Sequence, residues 1–205
     1  MTLIVSVDPG KTTGISVVRY TPDTAAVVLH AQFVDYADSP TSVRAMLSML
    51  VEGTLFHEGL RGMYPGEPII MIVERFVPER SAHGFDSTPM EVIGEIRADL
   101  RDKAPWTTAV TAWHWPIRGA KEMVTGDVLR RLNLWQTRKK EARMRHVNDA
   151  LRHTVGYLVR VGHKPTERKG WPNEAKFSHT GSTISDRLEG LDDQVRRVRE
   201  PRGRA

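Results

Sequence analysis

Two acidic residues stand where apolar runs end. Asp8 follows the run Leu3 to Val7, and Glu74 follows Ile69 to Val73, the most apolar stretch of the chain. A carboxylate beside such a run is costly unless it is solvated or paired with a cation. A strand end also holds a side chain rigidly enough to serve as a metal ligand. Much later in the chain, His146 and Asp149 are three apart, and Asp149 and His153 four apart. On a helix that spacing puts all three on one face. An adjoining apolar stripe of Val147, Ala150, Leu151, Val155 and Leu158 would dock the helix on a sheet. Each feature alone has an ordinary reading. Asp8 forms turns well before Pro9 and Gly10, Glu74 can face solvent or pair with Arg75, and a His/Asp pair is often just an exposed polar pair. Together, two strand-end carboxylates and a late helical His/Asp pair could converge on one point. Such a cluster can hold two divalent ions, one to activate water and one to stabilise the leaving oxygen of a phosphoryl transfer.

Composition narrows the choice of ion and substrate. The chain has no cysteine, which excludes disulfides and thiolate sites. The donors are then carboxylates and imidazoles, and a carboxylate-rich set suits Mg²⁺ or Mn²⁺. Lys and Arg number 30 against 25 Asp and Glu, a formal net charge of +5. The sequence pI of about 9.7 favours a polyanionic partner, DNA or RNA before membrane. A phosphodiester is the natural substrate. Gly10, Lys11 and Thr12 imitate the end of a phosphate-binding P-loop, but the glycine required five positions before Gly10 is Val5, inside a strand. No nucleotide cofactor is expected. The chain opens without a basic, signal-like segment, and no stretch approaches the roughly 18 to 20 apolar residues of a membrane span. No membrane association and a cytoplasmic location, in a bacterial or phage-infected cell, are the expectations.

The elements that must position these residues follow from periodicity. Strands are expected over 3–7, 14–20 and 25–33, set close enough for antiparallel hairpins, then a helix from Pro40 through about Leu60. A buried strand follows at 69–73, a loop at 75–88, and a helix from Pro89 to about Arg101 with Met90, Ile93, Ile96 and Leu100 on one face. Another strand is expected at 107–115, and two helices at about 118–132 and 138–161. This order predicts a mixed α/β sheet whose later strands are joined by helical crossovers. From Gly162 the chain turns polar and ends in a run rich in arginine, Arg196 to Arg204. It reads as a flexible basic C-terminal extension, with a short helix near 185–198, appended to a domain of residues 1–161.

These residues resemble the RuvC-like Holliday junction resolvases of the ribonuclease-H-like superfamily. The resemblance lies in the opening Val7, Asp8, Pro9, Gly10, with Thr13 and Gly14 after it, in Glu74 ending the central strand, and in the helical segment His146 to Leu151. It covers roughly residues 3–161, and the short length and basic tail look like phage versions. In that family two ligands lie three apart on the last core helix, the first being Asp or His, which His146 and Asp149 match. Trp115, Pro116 and Lys121 resemble the aromatic, proline and lysine segment of the family, with the lysine one residue further from the proline. The resemblance implies a five-stranded sheet flanked by helices and a homodimer acting in DNA recombination and repair. It implies Asp8, Glu74, His146 and Asp149 as ligands of two Mg²⁺ or Mn²⁺ ions, Lys121 as a catalytic cation, and paired nicking of a four-way junction. An aromatic wedge near the glutamate is also implied. Phe76 and Phe85 are the candidates, although neither reproduces the family spacing. Arg75, Arg80 and His83 from the same loop read equally as phosphate contacts, which position DNA without reading its sequence, or as members of an ordinary solvated loop. Other readings weighed are a nuclease of the same fold acting on flaps, forks or RNA–DNA hybrids, a DNA-binding relative without chemistry, and one lobe of an actin-like ATPase. The last needs a second lobe and a longer chain.

Overall fold

In β1 (Thr2–Asp8) alternate residues serve opposite faces of one sheet, and both faces are buried. Leu3, Val5 and Val7 enter one core cluster, and Ile4 enters the other. The computed structural model describes residues 1–35, 42–54, 57–75, 86–116, 119–137 and 142–172. β2 (Thr12–Thr21) runs back antiparallel to β1, and β3 (Thr24–Asp35) antiparallel to β2. α1 (Ser42–Glu52) follows, then the two-residue strands β4 (Gly53–Thr54) and β5 (His57–Glu58), paired as a hairpin, and the single turn α2 (Leu60–Met63). β6 (Ile69–Val73), buried throughout, pairs in parallel with β1. α3 (Thr88–Arg101) and a 3-10 turn at Pro105–Ala109 lead to β7 (Val110–His114), which is parallel to β6. The remaining elements are α4 (Ala120–Met123), α5 (Gly126–Leu132), α6 (Met144–Arg160) and α7 (Lys164–Gly170).

The sheet order is β3-β2-β1-β6-β7. Three strands in antiparallel succession, extended by two parallel strands reached through helical connections, form the expected ribonuclease-H-like mixed sheet. One face packs on α1 and α3 through Val43, Leu47, Val51, Val92 and Ile96. The other packs on α5 and α6 through Val128, Leu129, Val147, Leu151, Val155 and Leu158. The apolar stripe read from the sequence of α6 is buried at all five positions. Two polar contacts fix that helix. Ser6 and Thr154 share a buried hydrogen bond of 2.6 Å across β1 and α6. The Asn148 side chain accepts from the Gln136 backbone N–H at 2.9 Å and donates to the Gln136 carbonyl at 2.9 Å, tying the preceding loop to the helix.

Several boundaries differ from the sequence reading. The first helix stops at Glu52 rather than near Leu60, because Gly53 takes a left-handed conformation, φ 87°. Gly59 then lies so close to the turn that an added Cβ would meet Gly53 N at 2.2 Å. The strand expected from Thr107 begins at Val110. Pro105 starts a tight turn, and the hydroxyls of Thr107 and Thr108 donate back to the carbonyls of Ala104 and Pro105 at 2.7 and 2.8 Å. The helix expected over 118–132 is two helices, since Thr125 caps α5 by accepting from Val128 N–H. Packed chain also continues past residue 161. His163 is buried, and its Nε2 donates to the Thr21 carbonyl at 2.7 Å while its Nδ1 accepts from the Thr166 hydroxyl at 2.7 Å, which anchors α7. Pro40, Phe76, Arg80, His83, Phe85 and the tail from residue 173 lie outside the described residues.

Candidate metal centre

Asp8 and Glu74 are brought together by strand pairing. β1 and β6 run side by side in parallel with Val7 opposite Val73, and Glu74 N–H donates to the Val7 carbonyl at 3.0 Å. Both carboxylates therefore leave the carboxyl ends of adjacent central strands, where α/β sheets commonly open a site. Asp8 is 3% exposed and forms the floor. The side chains of Glu74, His146 and Lys121 are each about 30% exposed, so one side of the cluster opens to solvent.

α6 closes the cluster from the other side. At Gly14, directly opposite Asp8 in the β1–β2 register, an added Cβ would lie 2.0 Å from the His146 carbonyl oxygen and 2.6 Å from Val147 N. Only glycine lets the helix backbone approach β2 this closely. That approach puts His146 Nδ1 3.1 Å from Asp8 Oδ2. One turn further, Asp149 bonds Arg152 Nη1 through Oδ1 at 2.7 Å and lies 3.7 Å from Lys121 Nζ through Oδ2. Two turns along, His153 is 3% exposed, with Nε2 3.5 Å from Glu74 Oε2 and 3.8 Å from Asp8 Oδ1.

Lys121 comes from α4, which begins after Gly119 at φ 78°. Its ammonium donates to Asp8 Oδ1 at 2.7 Å and to Glu74 Oε2 at 2.8 Å. Burial alone would push Asp8 up, but the bond to His146 and the nearby His153 and Lys121 hold its carboxyl well below the usual range. Burial likewise works against the charge on Lys121, and the two carboxylates outweigh it and raise its pKa. For His153, burial is outweighed by the facing Asp8 and Glu74, and its pKa is also raised.

The structure thus gathers Asp8, Glu74, Lys121, His146 and Asp149 into one cluster. Within it the tightest group differs from the four ligands read from the sequence. Among the described residues, the donors of Asp8, Glu74 and His153 lie within 4.8 Å of one another, while His146 meets Asp8 alone of the two carboxylates, at 3.1 Å, and Asp149 meets Lys121 at 3.7 Å. The residues fit a hard divalent ion, because two carboxylates and an imidazole converge on one place. The sequence spacing sets His153 on the same helix face as His146 and Asp149 and leaves open whether it joins them; the structure brings its Nε2 to within 3.8 Å of both carboxylates. Arg152, which pairs with Asp149 at 2.7 Å, carries no sequence signal for this place, since a long basic residue on a helix is ordinarily solvated. Arg75 is exposed next to Glu74. Trp115 is exposed and stacks edge-on to Trp113 at 5.8 Å.

Among the solved structures similar to this chain are two of RuvC. One is a structure of Thermus thermophilus RuvC, 19% identical, with a TM-score of 0.49, covering 79% of this chain and 98% of that chain. The other is T. thermophilus RuvC in complex with Holliday junction substrate, 16% identical, with the same TM-score and coverage. Both likenesses are of fold, and the sheet order and crossovers described above stand without them. No protein-family model and no curated protein matches the chain. No helix among the described residues is long and apolar enough to cross a membrane.

Proposed function

We propose that this chain is a metal-dependent endodeoxyribonuclease that cuts branched DNA, of the junction-resolving type. The observation that carries the reading is the convergence of Asp8 and Glu74 from adjacent strand ends with His146, Asp149 and Lys121, in a cluster open to solvent on one side. Asp8, Glu74, His146 and Asp149 would hold two divalent ions, Mg²⁺ or Mn²⁺. Such ions supply a water of lowered pKa and charge stabilisation at the leaving oxygen. Asp8 stays ionised at neutral pH and so is ready to bind a cation. His146, bonded to Asp8, serves as a ligand or as the group that moves a proton at its ring nitrogen. Lys121, whose ammonium bonds both carboxylates at 2.7 and 2.8 Å, would offset the charge of a scissile phosphate brought to the centre.

The substrate class follows from charge. A chain of net charge +5 suits a phosphate backbone, and Arg75 flanks the centre. Phe76, Arg80 and Phe85 complete the loop expected to engage the branch. The arginine-rich run Arg196 to Arg204, which follows the packed helix α7 in the chain, would add backbone contacts. A homodimer would present two such centres to the two strands of a symmetric junction. Flaps and forks remain substrates to compare, because the centre itself reads only the backbone.

The test is metal dependence of cleavage. Purified full-length chain is expected to nick branched DNA with Mg²⁺ or Mn²⁺, to stop with chelator, and to resume when metal is restored. Asp8→Asn and Glu74→Gln should each abolish nicking while the fold is retained. Nicking that survives both substitutions would remove the basis of the proposal.

A further inference from the structure

His153 is a buried titratable group with no task in the two-metal scheme above. It is 3% exposed, and neither ring nitrogen has a hydrogen-bond partner among the described residues. Leaving a buried polar group without a hydrogen bond is costly, and an apolar side chain of similar size would remove that cost. The ring is not turned into the core. Its Nε2 faces Asp8 Oδ1 and Glu74 Oε2 at 3.8 and 3.5 Å, distances too long for a good hydrogen bond. The same two oxygens hold the Lys121 ammonium at 2.7 and 2.8 Å, so a cation's place already lies between them, and the separations from Nε2 suit donors around one ion. Ligand atoms bound at about 2.1 Å around one octahedral ion stand roughly 3 to 4 Å apart. All three donors lie within 4.8 Å of one another. The position is also rigid, since His153 precedes Thr154, which is clamped to Ser6, and sits on the helix that the core grips most extensively.

We propose that His153 is a ligand, through Nε2, of the ion held by Asp8 and Glu74, so that this ion has an imidazole donor from the centre's buried side. His146 and Asp149 then serve mainly the more solvent-exposed half of the centre. This proposal rests on the metal reading given above. It implies a centre with a nitrogen donor at its floor, which favours transition ions over Mg²⁺ more than an all-carboxylate floor would.

The experiment uses the full chain and Mn²⁺ alone as the probe, with electron spin-echo modulation to detect ¹⁴N bound to the ion. Wild-type protein and His146→Asn are both expected to show nitrogen coupling at the first Mn²⁺ equivalent. ¹⁵N-labelling of histidine should shift the signal. In His153→Asn the first Mn²⁺ should bind about 10-fold or more weakly, with a smaller loss for Mg²⁺, and the nitrogen coupling at that ion should disappear. Thermal melts establish that the variant folds. If it does not, the His146→Asn protein still decides, because it leaves His153 untouched. Nitrogen coupling that vanishes in His146→Asn, or Mn²⁺ affinity unchanged in His153→Asn, would overturn the proposal while leaving the metal centre standing. Mn²⁺ binding that is absent, or indifferent to Asp8→Asn, would overturn the metal reading and this proposal together.

Discussion

Replacing Gly14 by alanine should damage the centre from a residue that carries no chemistry. An added Cβ would lie 2.0 Å from the His146 carbonyl oxygen, 2.2 Å from its carbonyl carbon and 2.6 Å from Val147 N. All three are backbone atoms, so no side chain can rotate away. Relief requires the first turn of α6 to move off β2 by about 1 Å or more, since non-bonded carbon contacts settle near 3.5 Å. Overpacking of this kind costs about 1 to 3 kcal/mol, occasionally more. In a folded chain of this size each kcal/mol lowers Tm by about 2 to 4 °C. The same displacement stretches the 3.1 Å contact between His146 and Asp8. A misplacement of about 1 Å at a reacting centre costs about 10²-fold in rate. Gly94 is the control. It is exposed on α3 with nothing within 4 Å of an added Cβ, so Gly94→Ala should stabilise by about 0.5 to 1 kcal/mol and leave cleavage unchanged. Thermal unfolding and metal-dependent cleavage, measured on both variants, decide the matter. A Gly14→Ala protein as stable and as active as the parent would refute the close approach of α6 to β2.

Three further outcomes are expected. Lys121→Met removes the ammonium that bonds Asp8 and Glu74 at 2.7 and 2.8 Å. The metal-free protein should then lose stability, Mn²⁺ should restore it in thermal melts, and cleavage should fall by about 10² to 10³-fold, as when one preorganised charge donor is removed. Asp99 is buried and accepts from Trp106 Nε1 and Arg44 Nε, each at 2.9 Å. Asp99→Ala should cost about 1 to 3 kcal/mol by leaving the indole N–H unpaired, with no change in Mn²⁺ affinity. The carboxyl of Asp8 is held below its usual range, so its contribution to stability is present above the unfolded value of about 3.9 and is lost as pH falls through the folded value. Acid unfolding of the chelated protein should therefore be shallower in Asp8→Asn than in wild type.

How much of this was legible in the sequence depends on the kind of signal. Val, Ile and Leu runs ending in Asp8 and Glu74 marked the central strands, because a strand buried on both faces must be apolar throughout. The 3.6-residue stripe of α6 gave both its docking face and the adjoining row His146, Asp149 and His153. Local competition was harder to see. The end of α1 at Gly53, the 3-10 turn at Pro105 and the cap at Thr125 are each decided by one glycine, proline or hydroxyl against a longer periodic pattern. Which carboxylates each imidazole meets was not legible. His146 and His153 lie two turns apart on the same face, and how near each comes to Asp8, 3.1 and 3.8 Å, depends on how deeply the helix sinks onto the sheet. That depth is set at Gly14, whose contact with His146 links residues far apart in the chain.

Cleavage of a labelled four-way junction tests the central claim most directly. Linear duplex and flap substrates of matched sequence run beside it, with Mg²⁺ or Mn²⁺, and with Asp8→Asn and Asp149→Asn as controls. The account predicts paired nicks near the branch point, absent from both variants. Wild-type protein that binds the junction tightly and cuts none of these substrates with either metal would contradict it.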